Sequence, residues 1–335
     1  MAPRRPTQKD VADRAGVSQA TVSMVLNGGG MSSVSAETRE RIVVVAREIG
    51  YAPNRFARAL KTRRTMTIAC VVPDITNPFY PSLIRGVQKT AQSDGYDVIT
   101  LNTDGYATQE QHFLSWAREG RVDGVVGVFF TLRVKDFAPL IESGVPVLRI
   151  EAAEKRGGPI AIDDLYVDSR AAARTMTEYL VARGHRRIAM AAGAGGPQTV
   201  RVEGYREAVL AEGLDPFVVV EETFDETGGF RATERILGSD FSPTAIFGAN
   251  DLVAIGVMQA LSERGIAIPG QIAVAGFDDI SAARLVTPPL TTITQFQDRM
   301  GARAAAILLE RLTGKRGGQG TAEMMPFQLV ERGSA

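Results

Sequence analysis

From Met66 onward the sequence alternates short apolar runs with stretches of helical periodicity, and no other feature constrains the fold as tightly. The runs TIACVV, DVITL and DGVVGVFF each precede a helical pattern, starting at Tyr80, Gln109 and Lys135, and VPVLRI closes this first series. A second series follows a connector near Lys155: a helix from Ser169 to Arg183, RIAMAA, a helix from Val200, FVVVE, a helix from Gly228, TAIFGA, a helix from Leu252, and IAVAGF. Strands of this length separated by helices pair in parallel and are covered on both faces, so the expected class is α/β with two doubly wound parallel sheets. Ligands of such sheets bind beyond the carboxyl ends of the strands. The loops that follow strands therefore carry the candidates: Phe79 and Tyr80 after the first, Glu151 after the fourth, then Arg201, Phe224 with Asp225, Asn250 with Asp251, and Asp278.

Composition narrows the function classes. A chain of 335 residues, 44% apolar and 23% charged, is long enough for more than one core and is neither disordered nor collagen-like. No apolar run approaches the roughly 18 residues of a membrane span. The start, MAPRRPTQKD, has no apolar segment behind its basic residues, which points away from a secretory signal and to the cytoplasm, with no membrane partner. The single cysteine, Cys70 in IACVV, is expected to be a buried thiol. With only His112 and His185 beside it, zinc ligand sets and His-based nucleophile designs have little material. His185, in RGHRRIA, precedes a strand and is expected to be structural. The stretch GAGGPQ matches neither the dinucleotide fingerprint nor the phosphate loop. The expectation is no cofactor, no metal, no catalytic residue and no enzyme, although Asp278 and Asp251 could in principle serve as acid and base.

Charge divides the chain. Residues 1–64 hold 12 Lys and Arg against 5 Asp and Glu, which leaves 26 against 33 for the rest of a chain whose totals are 38 and 38. A compact basic segment is the electrostatic footprint of phosphate binding, and a solvated surface is the plain alternative. The pattern within it favours DNA. Thr7 and Asp10 have capping-box spacing and start a helix that Gly16 ends; Ser18 caps a second, QATVSMVLN; Ser35 caps a third that stops at Gly50. Val11, Ala12, Ala15, Val17, Val22, Val25 and Leu26 form a shared inner side, closed by Ile42, Val45, Ala46 and Ile49. This is a helix-turn-helix arrangement, whose second helix would turn Gln19, Ala20, Ser23, Met24 and Asn27 to the major groove. YAPNRFARALKTRRT then reads as a short hinge helix, marginal alone and able to order on DNA.

The chain resembles the lactose-repressor and galactose-repressor family of bacterial transcription regulators. KDVADRAGVSQATVSMVLN, VSAETRERI, GYAPNRFARALKTRRT, VVPDITNPFY, RGHRRIA, ANDLVAIG, VAGFDD and PPLTTI carry the resemblance, in order along nearly the whole chain. It implies a helix-turn-helix domain (1–52), a hinge helix (53–64) and a periplasmic-binding-protein-like core of two subdomains, 65–162 with 293–323 and 163–292 with 324–335. It further implies a homodimer on a palindromic operator, associated with the nucleoid, with paired hinge helices in the minor groove and Leu60 wedged between base pairs. Thr7, Ser18, Thr21, Asn54 and Ala57 join the groove-facing set as expected DNA contacts. Met24 stands where the family usually has an arginine able to read guanine, so an operator altered at that position is expected. The loop GGGMSS is about two residues longer than is usual in the family and is read as a spacer.

In the family the Arg of R-x-x-G-Y, the Asn of N-D and the Asp of G-F-D-D line an effector cleft, which assigns Arg201, Asn250 and Asp278, with Phe224 where relatives hold an aromatic ring over the ligand. Each has a plainer role open to it: a solvated helix start, a helix cap, a loop carboxylate or ordinary packing. A sugar would stack its CH faces on Phe79, Tyr80 or Phe224 and pair its hydroxyls with Asp225, Glu151 and the rest; a purine would use the same elements differently. The function expected is a regulator, read as a repressor, whose operator affinity is set by a small molecule, a sugar or sugar derivative first. The alternative is a cytoplasmic sugar sensor or solute-binding type of protein without operator binding.

Overall fold

A computed structural model of the protein describes residue 4 and residues 6–26, 34–52, 59, 62–154 and 160–335. Residues 1–65 and 66–335 form two compact units. The connector near Lys155, the GGGMSS loop, Asn27 and the hinge residues Asn54, Ala57 and Leu60 lie outside the described residues.

The first unit is a three-helix core: α1 (Gln8–Ala15), α2 (Gln19–Leu26) and α3 (Ala36–Glu48). Thr7 accepts from the Asp10 N–H while the Asp10 carboxylate accepts from the Thr7 N–H at 2.7 Å, the reciprocal capping box its spacing requires. Gly16 ends α1 at φ 64°, a conformation that costs a side-chain-bearing residue roughly 1 kcal/mol. Ser18 Oγ accepts from Thr21 N at 3.1 Å and Ser35 Oγ from Thr38 N at 3.2 Å. The buried centre is Val11, Ala12, Ala15, Val22, Ile42 and Ala46, ringed by Val17, Val25, Leu26, Val45 and Ile49, the inner side expected from the sequence.

The second unit holds two parallel sheets. In the first lobe β1 (Thr67–Val72), β2 (Asp97–Asn102), β3 (Gly124–Gly127), β4 (Val147–Glu151), β5 (Ile162–Val167) and β11 (Ala322–Met325) run in the order β11-β5-β4-β3-β1-β2. In the second, β6 (Ile188–Gly193), β7 (Phe217–Glu221), β8 (Ala245–Gly248) and β9 (Ala273–Ala275) run β7-β6-β8-β9. A small antiparallel pair, β10 (Thr292–Thr294) with β12 (Gln328–Val330), completes the set. Helices α4 (Phe79–Ser93) and α11 (Gln297–Leu312) cover one face of the first sheet, α5 (Ala107–Arg118) and α6 (Ala138–Glu142) the other. In the second lobe α7 (Ser169–Ala182) and α8 (Gln198–Ala211) lie opposite α9 (Glu226–Leu237) and α10 (Asp251–Glu263). Cys70 is buried in the first core, and that burial pushes its thiol up to about 12.

The expected alternation is present, with three differences. The chain does not pass to the second lobe at Ile162: residues 162–166 pair in register with β4 and Val167 pairs with β11, so the crossing follows Val167. Met324 and Met325 likewise pair with β5, which moves the last crossing past them. The run DGVVGVFF is strand only to Gly127, because the buried Glu110 carboxylate accepts from the backbone N–H of Phe130, Thr131 and Leu132 and turns the chain out of the sheet.

Candidate functional site

On the first unit, packing of Val22 inward leaves Gln19, Ala20 and Met24 exposed on α2, with Ser23 half-buried beside them. Met24 is 38% exposed on this outer face. Ser18 and Thr21 hydroxyls lie 2.8 Å apart at the helix start, where unpaired backbone N–H groups and the helix dipole favour an anion. A short second helix with a polar and methyl-bearing outer face has the shape and chemistry for a major groove.

On the second unit, each sheet reverses strand order beside its first strand, and ligand crevices open at such switch points. The carboxyl ends of the two sheets meet around a cavity of about 290 Å³. Six of the eight expected effector residues stand on its wall: Phe79, Tyr80, Glu151, Arg201, Phe224 and Asp278. Asn250 and Asp225 do not. Asn250 is buried as the cap of α10, accepting from Val253 N at 2.7 Å and donating to the Phe224 carbonyl at 3.2 Å, so it holds the backbone of a wall residue. Asp225 caps α9, accepting from Gly228 N at 2.9 Å and from Thr223 Oγ1 at 2.7 Å.

The polar centre is a buried ion pair. Arg201 donates to Asp278 Oδ1 at 3.2 Å and to the Ala249 carbonyl at 2.7 Å, and its guanidinium lies 3.8 Å from the Phe277 ring centre. Asp278 also accepts from Gln295 Nε2 at 2.7 Å, and its φ of 120° is a conformation that favours glycine, imposed by hydrogen bonding of its backbone to Ile293 and Gln297. Burial pushes the Asp278 carboxyl up to about 6 against the opposing pull of Arg201. Behind it Asp251, accepting from Thr292 Oγ1 at 2.5 Å and Ile280 N at 2.8 Å, is pushed up to about 7 by burial and by the charge of Asp278. Burial and the same charge raise the Tyr80 phenol well above its ordinary value. Two wall residues keep buried polar atoms without a partner, Arg201 Nε and Ser169 Oγ. Such orphans are rare in native interiors, and on a cavity wall they leave hydrogen-bonding capacity open to an occupant.

Sequence reasoning missed Ser169, Gln295, Phe129 and Phe130, all on the wall. The paired phenylalanines at the end of an apolar run were the one visible signal. Glu151 is held at 3.3 Å by the buried Arg149, itself paired with Asp164 at 2.8 Å. His185 is half-buried in the turn before β6, its backbone N–H donating to the Leu180 carbonyl at 3.1 Å, and it is not on the cavity wall.

Comparison with known proteins agrees with this division. The model of bacterial regulatory proteins of the lacI family matches residues 7–54, and that of the periplasmic-binding-protein-like domain matches residues 177–335. The ribose operon repressor of Escherichia coli (strain K12) is 37% identical over 339 residues, covering 98% of this chain and 99% of its own. The lac repressor dimer bound to operator and the anti-inducer ONPF is similar with a TM-score of 0.87 at 27% identity, covering 99% of each chain. A LacI family regulator from Enterococcus faecium with bound ribose gives 0.72 at 26% identity, covering 80% of this chain and 98% of its own.

Proposed function

Because this chain belongs to the LacI family of bacterial regulatory proteins, we propose that it is a transcriptional repressor whose hold on a palindromic operator is set by a small sugar bound between the lobes of its core. The observation that carries the effector half is the cavity wall itself: a buried Arg201–Asp278 pair, two orphaned donors and flanking aromatic rings, within a space of about 290 Å³. Adjacent hydroxyls of a sugar can donate to Asp278 and accept from Arg201 and Ser169, while its CH face lies on an aromatic ring. The relatives named for ribose make a pentose the first candidate.

The protein acts as a homodimer in the cytoplasm, at the nucleoid, and not as an enzyme. Asp251, a carboxylate whose titration feels Asp278, is spent on Thr292 and Ile280 behind the wall. On DNA, Gln19, Ala20, Ser23, Met24 and Asn27 face the bases, with Thr7, Ser18 and Thr21 supporting the helix starts. Asn54, Ala57 and Leu60 belong to a hinge that orders on the minor groove, with Leu60 as its wedge. Effector binding changes the angle between the lobes and thereby the stability of the paired hinges on DNA, since a ligand shifts an equilibrium only by its differential affinity for the two states.

Footprinting of the full chain on the region upstream of its own gene, together with thermal-shift screening of pentoses, hexoses and nucleosides, tests both halves. A protected inverted repeat and stabilisation by a pentose are expected. Protection of no site, or stabilisation by nucleosides alone, contradicts the respective half.

A further inference from the structure

The cavity is lined in part by an aromatic pair, Phe129 and Phe130, carried on the loop after β3, of which Phe130 is the exposed member. That loop has one course because Glu110, fully buried on α5, receives four donors from it: Phe130 N at 2.7 Å, Thr131 N and Leu132 N at 3.0 Å each, and Thr131 Oγ1 at 2.5 Å. Charge-assisted bonds of this kind are short and strong, so the loop is a rigid mount. Phe129 packs back into its own lobe, edge-on to Phe137 at 5.0 Å. Phe130 turns the other way and stays 39% exposed.

Its ring sits between two glycines from opposite lobes. A Cβ on Gly105, after β2, would stand 2.9 Å from the ring, and one on Gly196, after β6, would stand 3.0 Å from it. Both separations are below the carbon–carbon optimum of roughly 3.5–4.0 Å, so a side chain at either position would displace the ring. The first lobe thus reaches across the cavity with a flat side chain that the second receives on bare backbone.

We propose that Phe130 sets the size of the molecule the lobes can enclose, admitting a single sugar-sized ring and excluding a second ring joined to it. Glu110 is the positioning residue that holds Phe130 at the rim. This rests on the cavity being the effector site, and its volume, at the small end of the roughly 300–1,000 Å³ usual for ligand sites, agrees with a one-ring occupant.

The test uses the full chain and one readout that needs no knowledge of the effector. Ala152→Cys places a thiol on the half-buried part of the wall, while the native Cys70 is buried and silent; Ala153→Cys, also on the wall and half-buried, serves if the first variant folds poorly. The reaction rates with methyl methanethiosulfonate and with a bulky fluorescein maleimide are compared with and without Phe130→Ala. The ratio of bulky to small rate is expected to rise at least tenfold on removing the ring, and an unchanged ratio overturns the proposal. In parallel, D-ribose and cellobiose are titrated by calorimetry against the native chain and Phe130→Ala alone. Gain of cellobiose binding with D-ribose affinity within threefold supports a size gate; continued exclusion of cellobiose by a variant that binds D-ribose counts against it. If neither protein binds D-ribose, the pentose assignment fails and the labelling ratio alone decides the rim.

Discussion

Arg201 and Asp278 are each other's main compensation for leaving water, so removing one exposes the cost of the other. Arg201→Ala is expected to destabilise the core by about 3 kcal/mol, the low end for an orphaned buried charge because Asp278 can take up a proton. Asp278→Ala should abolish the effector response while leaving operator binding intact; urea unfolding and a DNA-binding assay check the two, and loss of DNA binding together with unfolding would reassign the pair to structure. Asp251 and Asp278 also carry a pH signature. Their folded-state pKa values, about 7 and about 6, lie above the unfolded value of 3.8, so the folded chain holds protons that the unfolded chain has released. Stability from this source is therefore greatest in mild acid and falls as pH rises through about 4 to 7. From pH 5 to pH 8 a loss of about 4 kcal/mol is expected in urea unfolding, and Asp251→Asn, neutral throughout, should remove much of it. A native profile that is flat or rises over this range contradicts the assignment. Arg201, Asp278 and Phe224 were legible because each follows a strand in a recognisable pattern, whereas Asn250 and Asp225 fit the same pattern and turn out to cap α10 and α9. A side chain at a helix start can face the crevice or its own backbone, and linear spacing does not distinguish the two.

At the scale of elements, the three-helix unit was readable almost residue by residue because caps act over three or four positions of chain. The lobe boundaries were not, because β10, β11 and β12 are short and β5 is joined to β11 by residues more than a hundred positions away, as when Arg311 binds Asp163 at 2.7 Å. The aromatic loop after β3 was hidden for the same reason: Glu110 that bends it is 20 residues upstream of Phe130. Glu110→Ala leaves three backbone N–H groups without their acceptor and is expected to cost about 2–4 kcal/mol in urea unfolding; a change under about 0.5 kcal/mol would mean the loop is held by other contacts. For the hinge, Leu60→Ala should weaken operator binding at least tenfold while changing binding to random duplex less than threefold, measured by anisotropy at fixed salt. Equal weakening of both would remove the wedge from the account.

The whole molecule joins a cationic DNA-reading unit to an acidic body with an internal cavity, and its function lies in the coupling between them. Coupling energies in such systems run to about 1–3 kcal/mol, or 5–150-fold in affinity, and are reciprocal between the two ligands. The most direct measurement is an anisotropy titration of the full chain on its upstream operator fragment at fixed salt, with and without saturating D-ribose. The account predicts nanomolar binding that shifts at least fivefold with the sugar, and no shift in Asp278→Ala. Specific binding that is the same with every one-ring sugar tested, or no sequence preference at all, would contradict it.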